Sequence, residues 1–521
     1  MHAAYIFQAN RLQSYIFETS KLRDISGASE LINALAFETL AVSGQQKVAP
    51  NDLLAKTLTA SGFKMGDFNV LRRAGGALTF TVPADQVGRL HQFRILWRLA
   101  VENMVPGLAF SDGIGCGETE RESLKASRDS ILASAPTPYC DAPYASPLVR
   151  LAPRTGRAPS SICPVTGDFV DKPTNAKRQY LYDEHAQLVE KPEKLELPRL
   201  FTGELAEKYI WPVRFEDYEK GDGKSLPFFE GHPKRLAILH IDGNGVGEKF
   251  MRASETLTGG DMRKLSRAMA GATQKAAQNA MRDVVLPQAI DNVVPARPVL
   301  IGGDDLTIIL RADLAVAFVK KYLEVFETET RLALRKFDKL PDDLQEGFQA
   351  KAGIVFLGAR QPFAQAYELC DALAKYAKFP DKSGVCFYRV TSAAIPRDVA
   401  EVRAATDSEI CRQWGGAWTL DQLNHLVELS RLLKDEDIGR GAIRRVSPLL
   451  GEGGNKNQAE RVYQRSIVVL KERNSVVCSK LVAALKPFGL SEISPIDAGG
   501  YSPLLDAHTL GQILQPAADG E

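Results

Sequence analysis

Residues 301–310 read I-G-G-D-D-L-T-I-I-L, a glycine pair and an aspartate pair set between two β-branched, apolar runs. Gly302 and Gly303 suit the positive φ angles of a tight hairpin turn, with Val299–Ile301 and Leu306–Leu310 as its strands. The pattern predicts a stiff ribbon carrying two carboxylates, Asp304 and Asp305, at its tip. Upstream, residues 235–247 read R-L-A-I-L-H-I-D-G-N-G-V-G, a buried strand that stops at Asp242 and then a glycine-rich turn. A chain with both features is constrained to a sheet in which a strand ends beside an acidic hairpin.

Carboxylates placed in that way are hard oxygen ligands for Mg²⁺ or Mn²⁺ held against a triphosphate. Asp242 and Asp304, with Asp305, are expected to bind two ions about 3.5–4 Å apart. One ion would activate an attacking hydroxyl, and the other would neutralise charge building on the α-phosphate and pyrophosphate. Backbone N–H groups from Gly243, Asn244 and Gly245 to Gly247, near a helix start, are expected to cradle the triphosphate. Gly302 and Gly303 complete the nucleotide-contacting set on the hairpin side. Hairpin turns favour Gly and Asp for conformational reasons alone, so the weight rests on the combination and not on G-G-D-D by itself.

Five weaker candidates follow. Lys378 closes the stretch A-K-Y-A-K and could reach phosphate; a solvated helix-end cation is the plain alternative, and Lys375 competes with it. Ser29, in Gly27-Ala-Ser29, is read either as a nucleotide contact or as ordinary helix-start chemistry. Cys140, Cys163 and His185 lack the paired spacing of a zinc site, and no zinc is expected. His240, on the strand leading to Asp242, is read as core, and the basic run Arg440–Arg445 as a solvated helix face.

The chain's 65 basic and 64 acidic residues leave no global pull towards nucleic acid or anionic lipid. Any nucleic-acid contact must then be a local patch or be delegated to partners. Seven cysteines without a C-x-x-C pair suggest reduced thiols in a cytoplasmic protein. The N-terminus has no signal-peptide pattern, and no apolar run approaches membrane-spanning length, so no membrane association is expected.

At 521 residues the chain is too long for one core, and four regions separate. Residues 1–145 read as strand, helix, hairpin (Val70–Val82, turning at residues 74–77), helix and strand. Residues 146–232 are rich in proline and charge and read as a linker with a small irregular module. Residues 233–395 repeat the first region's order of elements, and residues 396–521 are helical by period. The predicted class is α+β: two ferredoxin-like units forming a pseudo-symmetric pair, an irregular linker and a helical C-terminal domain. The first unit has Ala77 where Asp304 stands and is expected to hold no metal at its turn.

Gln13-Ser-Tyr-Ile-Phe17 with Lys21-Leu-Arg-Asp-Ile-Ser-Gly-Ala-Ser29 looks like the first palm domain of the large polymerase-like subunit of type III CRISPR effector complexes. The Asp242-Gly-Asn-Gly-Val-Gly turn, Gly302-Gly-Asp-Asp305, Lys351-Ala-Gly-Ile-Val355 and Ala377-Lys378 resemble its second palm. The resemblance covers residues 1–135 and 233–395. It implies paired palms clasping two ATP molecules and Mg²⁺-dependent synthesis of cyclic oligoadenylate messengers for antiviral defence. It also implies partner subunits of an RNA-guided complex, with target RNA reached through them. Many relatives begin with an HD-type nuclease domain, whereas this chain has no His-Asp dipeptide and starts directly in the palm; DNA cleavage is not expected. Relatives often carry four cysteines between the palms, where only Cys163 stands here. Some have Asp at Asn244, which leaves the metal to Asp242, Asp304 and Asp305.

Two other readings compete. A scaffold subunit with a silent palm is disfavoured by retention of all three acids. A diguanylate cyclase is disfavoured because the turn runs D-D-L and no R-x-x-D motif lies just upstream.

Overall fold

The computed structural model describes residues 1–36, 53–134, 150–163, 167–181, 196–215, 225–229, 234–434, 438 and 445–514, apart from positions 20, 65, 75, 258 and 339. The N-terminal sheet comprises β1 (His2–Asn10), β2 (Asn69–Ala74), β3 (Ala77–Pro83) and β4 (Ala109–Gly117) in the order β2-β3-β1-β4. Every pair in it is antiparallel. Helices Leu22–Ala36 and Val87–Met104 fall where a βαββαβ unit requires its crossovers. A two-stranded ribbon follows, β5 (Ser161–Ile162) and β6 (Phe169–Val170). The second sheet holds β7 (Arg235–Gly243), β8 (Ala296–Gly302), β9 (Asp305–Arg311), β10 (Ala350–Gly358), β11 (Gly384–Arg389) and β12 (Ala417–Thr419). Its order, β12-β11-β10-β7-β9-β8, contains the same β8-β9-β7-β10 arrangement. The expected repetition of element order is therefore a repetition of topology.

Strand β7 is apolar on both sides because both sides are covered. Ala237, Leu239 and Ile241 join a core formed with helices Gly259–Ala280 and Ala315–Leu334 and the C-terminal helices. Leu236 and Ile238 face the opposite way, into a core shared with helix Phe363–Tyr376 and the N-terminal unit. Phe17 of the first unit stacks on Tyr367 of that helix at 4.4 Å between centroids. At the edge of this apolar contact Arg297 of β8 meets Glu30 of helix Leu22–Ala36 at 3.8 Å, both side chains being almost wholly buried.

The structure adds two elements that the sequence reading did not foresee. The proline-rich linker contributes a helix, Lys172–Leu181, packed on helix Leu22–Ala36. Arg178 donates to both oxygens of Asp24 at 2.7 and 3.2 Å, and Lys177 reaches the Tyr15 carbonyl at 2.8 Å and Glu18 at 3.0 Å. Buried cations, and not an apolar stripe, hold this helix, so hydrophobic periodicity gave no signal. The C-terminal region in turn is not purely helical: β12 adds to the second sheet beside β11 before Thr419 caps helix Leu420–Leu432. Residues 440–444 of the basic run, Cys140 and His185 lie outside the described residues. Among the described residues no helix is long and apolar enough to cross a membrane.

Candidate active site

Strands β7 and β9 pair antiparallel from Leu236↔Arg311 to Ile241↔Leu306, which brings the end of β7 to the β8–β9 turn. Gly302 pairs with Asp305, so Gly303 and Asp304 form the two-residue turn. Gly303 alone takes positive φ, at 64°, as a glycine-first hairpin turn requires; the expectation of positive φ at Gly302 does not hold. Thr273 of helix Gly259–Ala280 donates to the Gly303 carbonyl at 2.7 Å and pins the turn from behind. One oxygen from each of Asp242, Asp304 and Asp305 lies within 4.8 Å of the others. The acids that the sequence separates by some sixty positions are brought together by a single strand pairing.

Gly243 makes this approach possible. A Cβ there would stand 2.5 Å from Val246 Cγ2 and 3.0 Å from Asp304 Oδ2. Gly243→Ala is expected to push the turn away and lower turnover about tenfold or more, since misplacement near 1 Å can cost about 10²-fold. Steady-state rates alongside a melting midpoint check this; full activity would show that the turn has room.

The electrostatics are those of an acid cluster short of positive charge. Burial, with the hydrogen bond to Asp242 and the charges of Asp242 and Asp304, pushes the Asp305 carboxyl up to about 9. Burial and the Asp242 charge push Asp304 up to about 6. Burial alone would raise Asp242 too, but the hydrogen bond from Asp305 and the Lys351 ammonium outweigh it and hold Asp242 below the usual range. Lys351 stands directly opposite Asp242 in the β7–β10 register and its Nζ contacts Asp242 Oδ2.

A carboxyl raised in the folded state keeps a proton that the unfolded chain releases, so its contribution to stability falls as pH rises from about 4 towards the folded value. For Asp305 that window runs up to about 9. Asp305→Asn is therefore expected to stabilise the metal-free protein at neutral pH by about 2 kcal/mol. The corresponding rise in melting midpoint is at least about 2 °C, with a flatter pH dependence. A lower midpoint for the variant in chelator would contradict the electrostatic account.

Other expected contacts fare differently. Asn244 is buried; its N–H donates to the Gln349 carbonyl at 2.8 Å and its Nδ2 to the Phe379 and Lys382 carbonyls at 3.4 Å. Its backbone N–H is thus engaged and not presented to a triphosphate, a correction to the expected cradle. Gly245 takes φ of 62° and starts helix Val246–Thr256, whose first-turn amides lack intrahelical acceptors. Lys378 is exposed, just past the C-terminus of helix Phe363–Tyr376, and leads into the loop that Asn244 ties down. Lys375 pairs with Asp371 at 2.6 Å. Ser29 lies within helix Leu22–Ala36, buried, its hydroxyl donating to the Ile25 carbonyl at 2.8 Å. It is neither a helix-start residue nor presented to a ligand. His240 is buried, with Nδ1 3.1 Å from Thr307 Oγ1.

The donor set fits a hard divalent cation. Three carboxylates converge, oxygen is their ligand type, and Lys351 contacts one of them while the Arg72 charge also acts on Asp304. Two ferredoxin-like units, the second bearing an acidic triad at a hairpin turn, define a double-palm protein of the nucleotidyl-cyclase type. Residues 235–386 match the family model Cas10/Cmr2, second palm domain. Among solved structures its fold is similar to Csm1 of T. onnurineus, with 12% identity over 99% of this chain and 70% of that one, and a TM-score of 0.52. Csm1–Csm4 cassettes in complex with cA3 and with one ATP match with the same identity and coverage and TM-scores of 0.50. No curated protein sequence matches the chain.

Proposed function

We propose that this protein is a nucleotidyltransferase that joins ATP into cyclic oligoadenylate messengers in type III CRISPR-like defence. The observation that carries the reading is the convergence of Asp242, Asp304 and Asp305 within 4.8 Å at the end of a palm sheet. Likeness in fold to Csm1 in complexes containing cA3 and ATP supports it. Asp242, Asp304 and Asp305 would hold Mg²⁺ or Mn²⁺, which when bound supplies the positive charge that phosphoryl transfer needs. The first-turn amides after Gly245 and the turn glycines Gly302 and Gly303 would donate to the nucleotide's phosphates, and the exposed Lys378 would add charge to them. The four regions foreseen in the sequence correspond in this reading to a metal-free palm, a connecting module, the catalytic palm and a partner-binding helical domain. A Csm4-like subunit and, through it, guide and target RNA are the partners, in the cytoplasm.

Incubation of the purified chain with labelled ATP or GTP and Mg²⁺, with and without partner subunits and target RNA, tests the proposal. Cyclic adenylates are expected from ATP. Product from GTP instead would make it a diguanylate-cyclase-like enzyme, and no product under any condition would leave it a scaffold.

A further inference from the structure

The contact between Lys351 and Asp242 is the closest ion pair of the acidic site, and it is built into the sheet. Lys351 faces Asp242 across the antiparallel β7–β10 pair, with its side chain 11% exposed and that of Asp242 30% exposed. The backbone register thus fixes the cation's root beside Asp242. Gly353 and Val355, two and four positions further along β10, lie on the same side of the strand. Val355 belongs to the core shared with the first palm, so Lys351 projects to the side from which the first palm approaches.

A lysine so placed serves one carboxylate of a triad that otherwise holds like charges close together. We propose that Lys351 is the resident counter-ion of this cluster: it occupies Asp242 until a divalent cation displaces it, and then turns its charge to the anionic substrate. An ammonium and a divalent cation cannot share the same carboxylate oxygen without repulsion, and their competition is strongest where water is scarce. The lysine's flexible four-carbon stem allows the ammonium to move while its backbone stays in register. Lys351 is a positioning residue for Asp242 in the metal-free state and a phosphate contact afterwards. The inference builds on the proposed nucleotidyl transfer, but its first consequence, competition for Asp242, does not need catalysis.

The test is Mn²⁺ titration of the full chain without nucleotide, comparing Lys351→Met and Lys351→Arg with the unchanged protein. Lys351→Met is expected to bind Mn²⁺ about tenfold more tightly and to lower the melting midpoint in chelator, while Lys351→Arg stays within about threefold. In Ca²⁺, which would hold ATP without turnover, Lys351→Met is expected to bind ATP about tenfold more weakly. A merely structural lysine would loosen metal binding or leave it unmoved, and either result overturns the proposal. Unchanged ATP affinity in Lys351→Met overturns its second half. If Lys351→Met does not fold, Lys351→Gln carries the same expectations. Tighter Mn²⁺ binding without any product from the unchanged protein would sink the proposed function and leave this inference standing; product with unaltered Mn²⁺ affinity would do the reverse.

Discussion

Asp304→Asn is expected to lower product formation from ATP by at least about 10³-fold, the equivalent of the several kcal/mol that a well-held metal contributes to phosphoryl transfer. Asp304 sits at the tip of the two-residue turn, whose position the pairing of Gly302 with Asp305 and the Thr273 bond to Gly303 help to set. Replacing one carboxylate oxygen by nitrogen keeps the shape and removes the charge. The substitution should not harm the fold, because burial and the Asp242 charge already disfavour ionisation of Asp304. Activity and stability are thus expected to move in opposite directions. A variant that keeps activity within tenfold of the unchanged chain, by cyclic-product assay in Mg²⁺, would remove Asp304 from the catalytic set.

The second large effect concerns the contact between palms. Arg297 is 1% exposed, and its Nε and Nη1 find no partner among the described residues. Burial lowers its affinity for the proton and the Glu30 charge opposes that. Such a pair is a poor source of stability but costly to break from one side, because the remaining charge stays buried. Arg297→Met is expected to cost about 3 kcal/mol in denaturant unfolding. Adding Glu30→Leu should restore most of this, since matched apolar side chains often replace a buried pair without loss. A single variant as stable as the unchanged chain would show that the pair is solvated or relaxed in solution.

How much of this was readable in advance depended on whether the signal was local. The hairpin and the strand ending in Asp242 announced themselves because turn chemistry and apolar runs are encoded within ten residues. The recurrence of strand, helix and hairpin order was visible for the same reason, and the two sheets share one topology. Lys351 was legible only as part of K-A-G-I-V: its importance comes from strand register, which sets it opposite a residue 109 positions away. Asn244 and Ser29 looked available for ligand because sequence shows a side chain's chemistry and not what it is already bonded to. Helix Lys172–Leu181 escaped notice because the residues it buries include Lys177 and Arg178, which a hydrophobic pattern counts as surface. Strand β12 escaped because three residues, Ala417–Thr419, are too few to show alternation.

That short strand bears on how the second palm can be isolated. Trp418 lies buried against Phe488 and Tyr501, so β12 belongs at once to the palm sheet and to the helices that follow. A fragment cut near residue 395 would leave β11 as a bare edge, because β12 goes with the helices that follow. Such an edge invites pairing between molecules, so the fragment should come out as aggregate. Palm and tail share an apolar core as well as that strand, so the seam between them is not a place to cut.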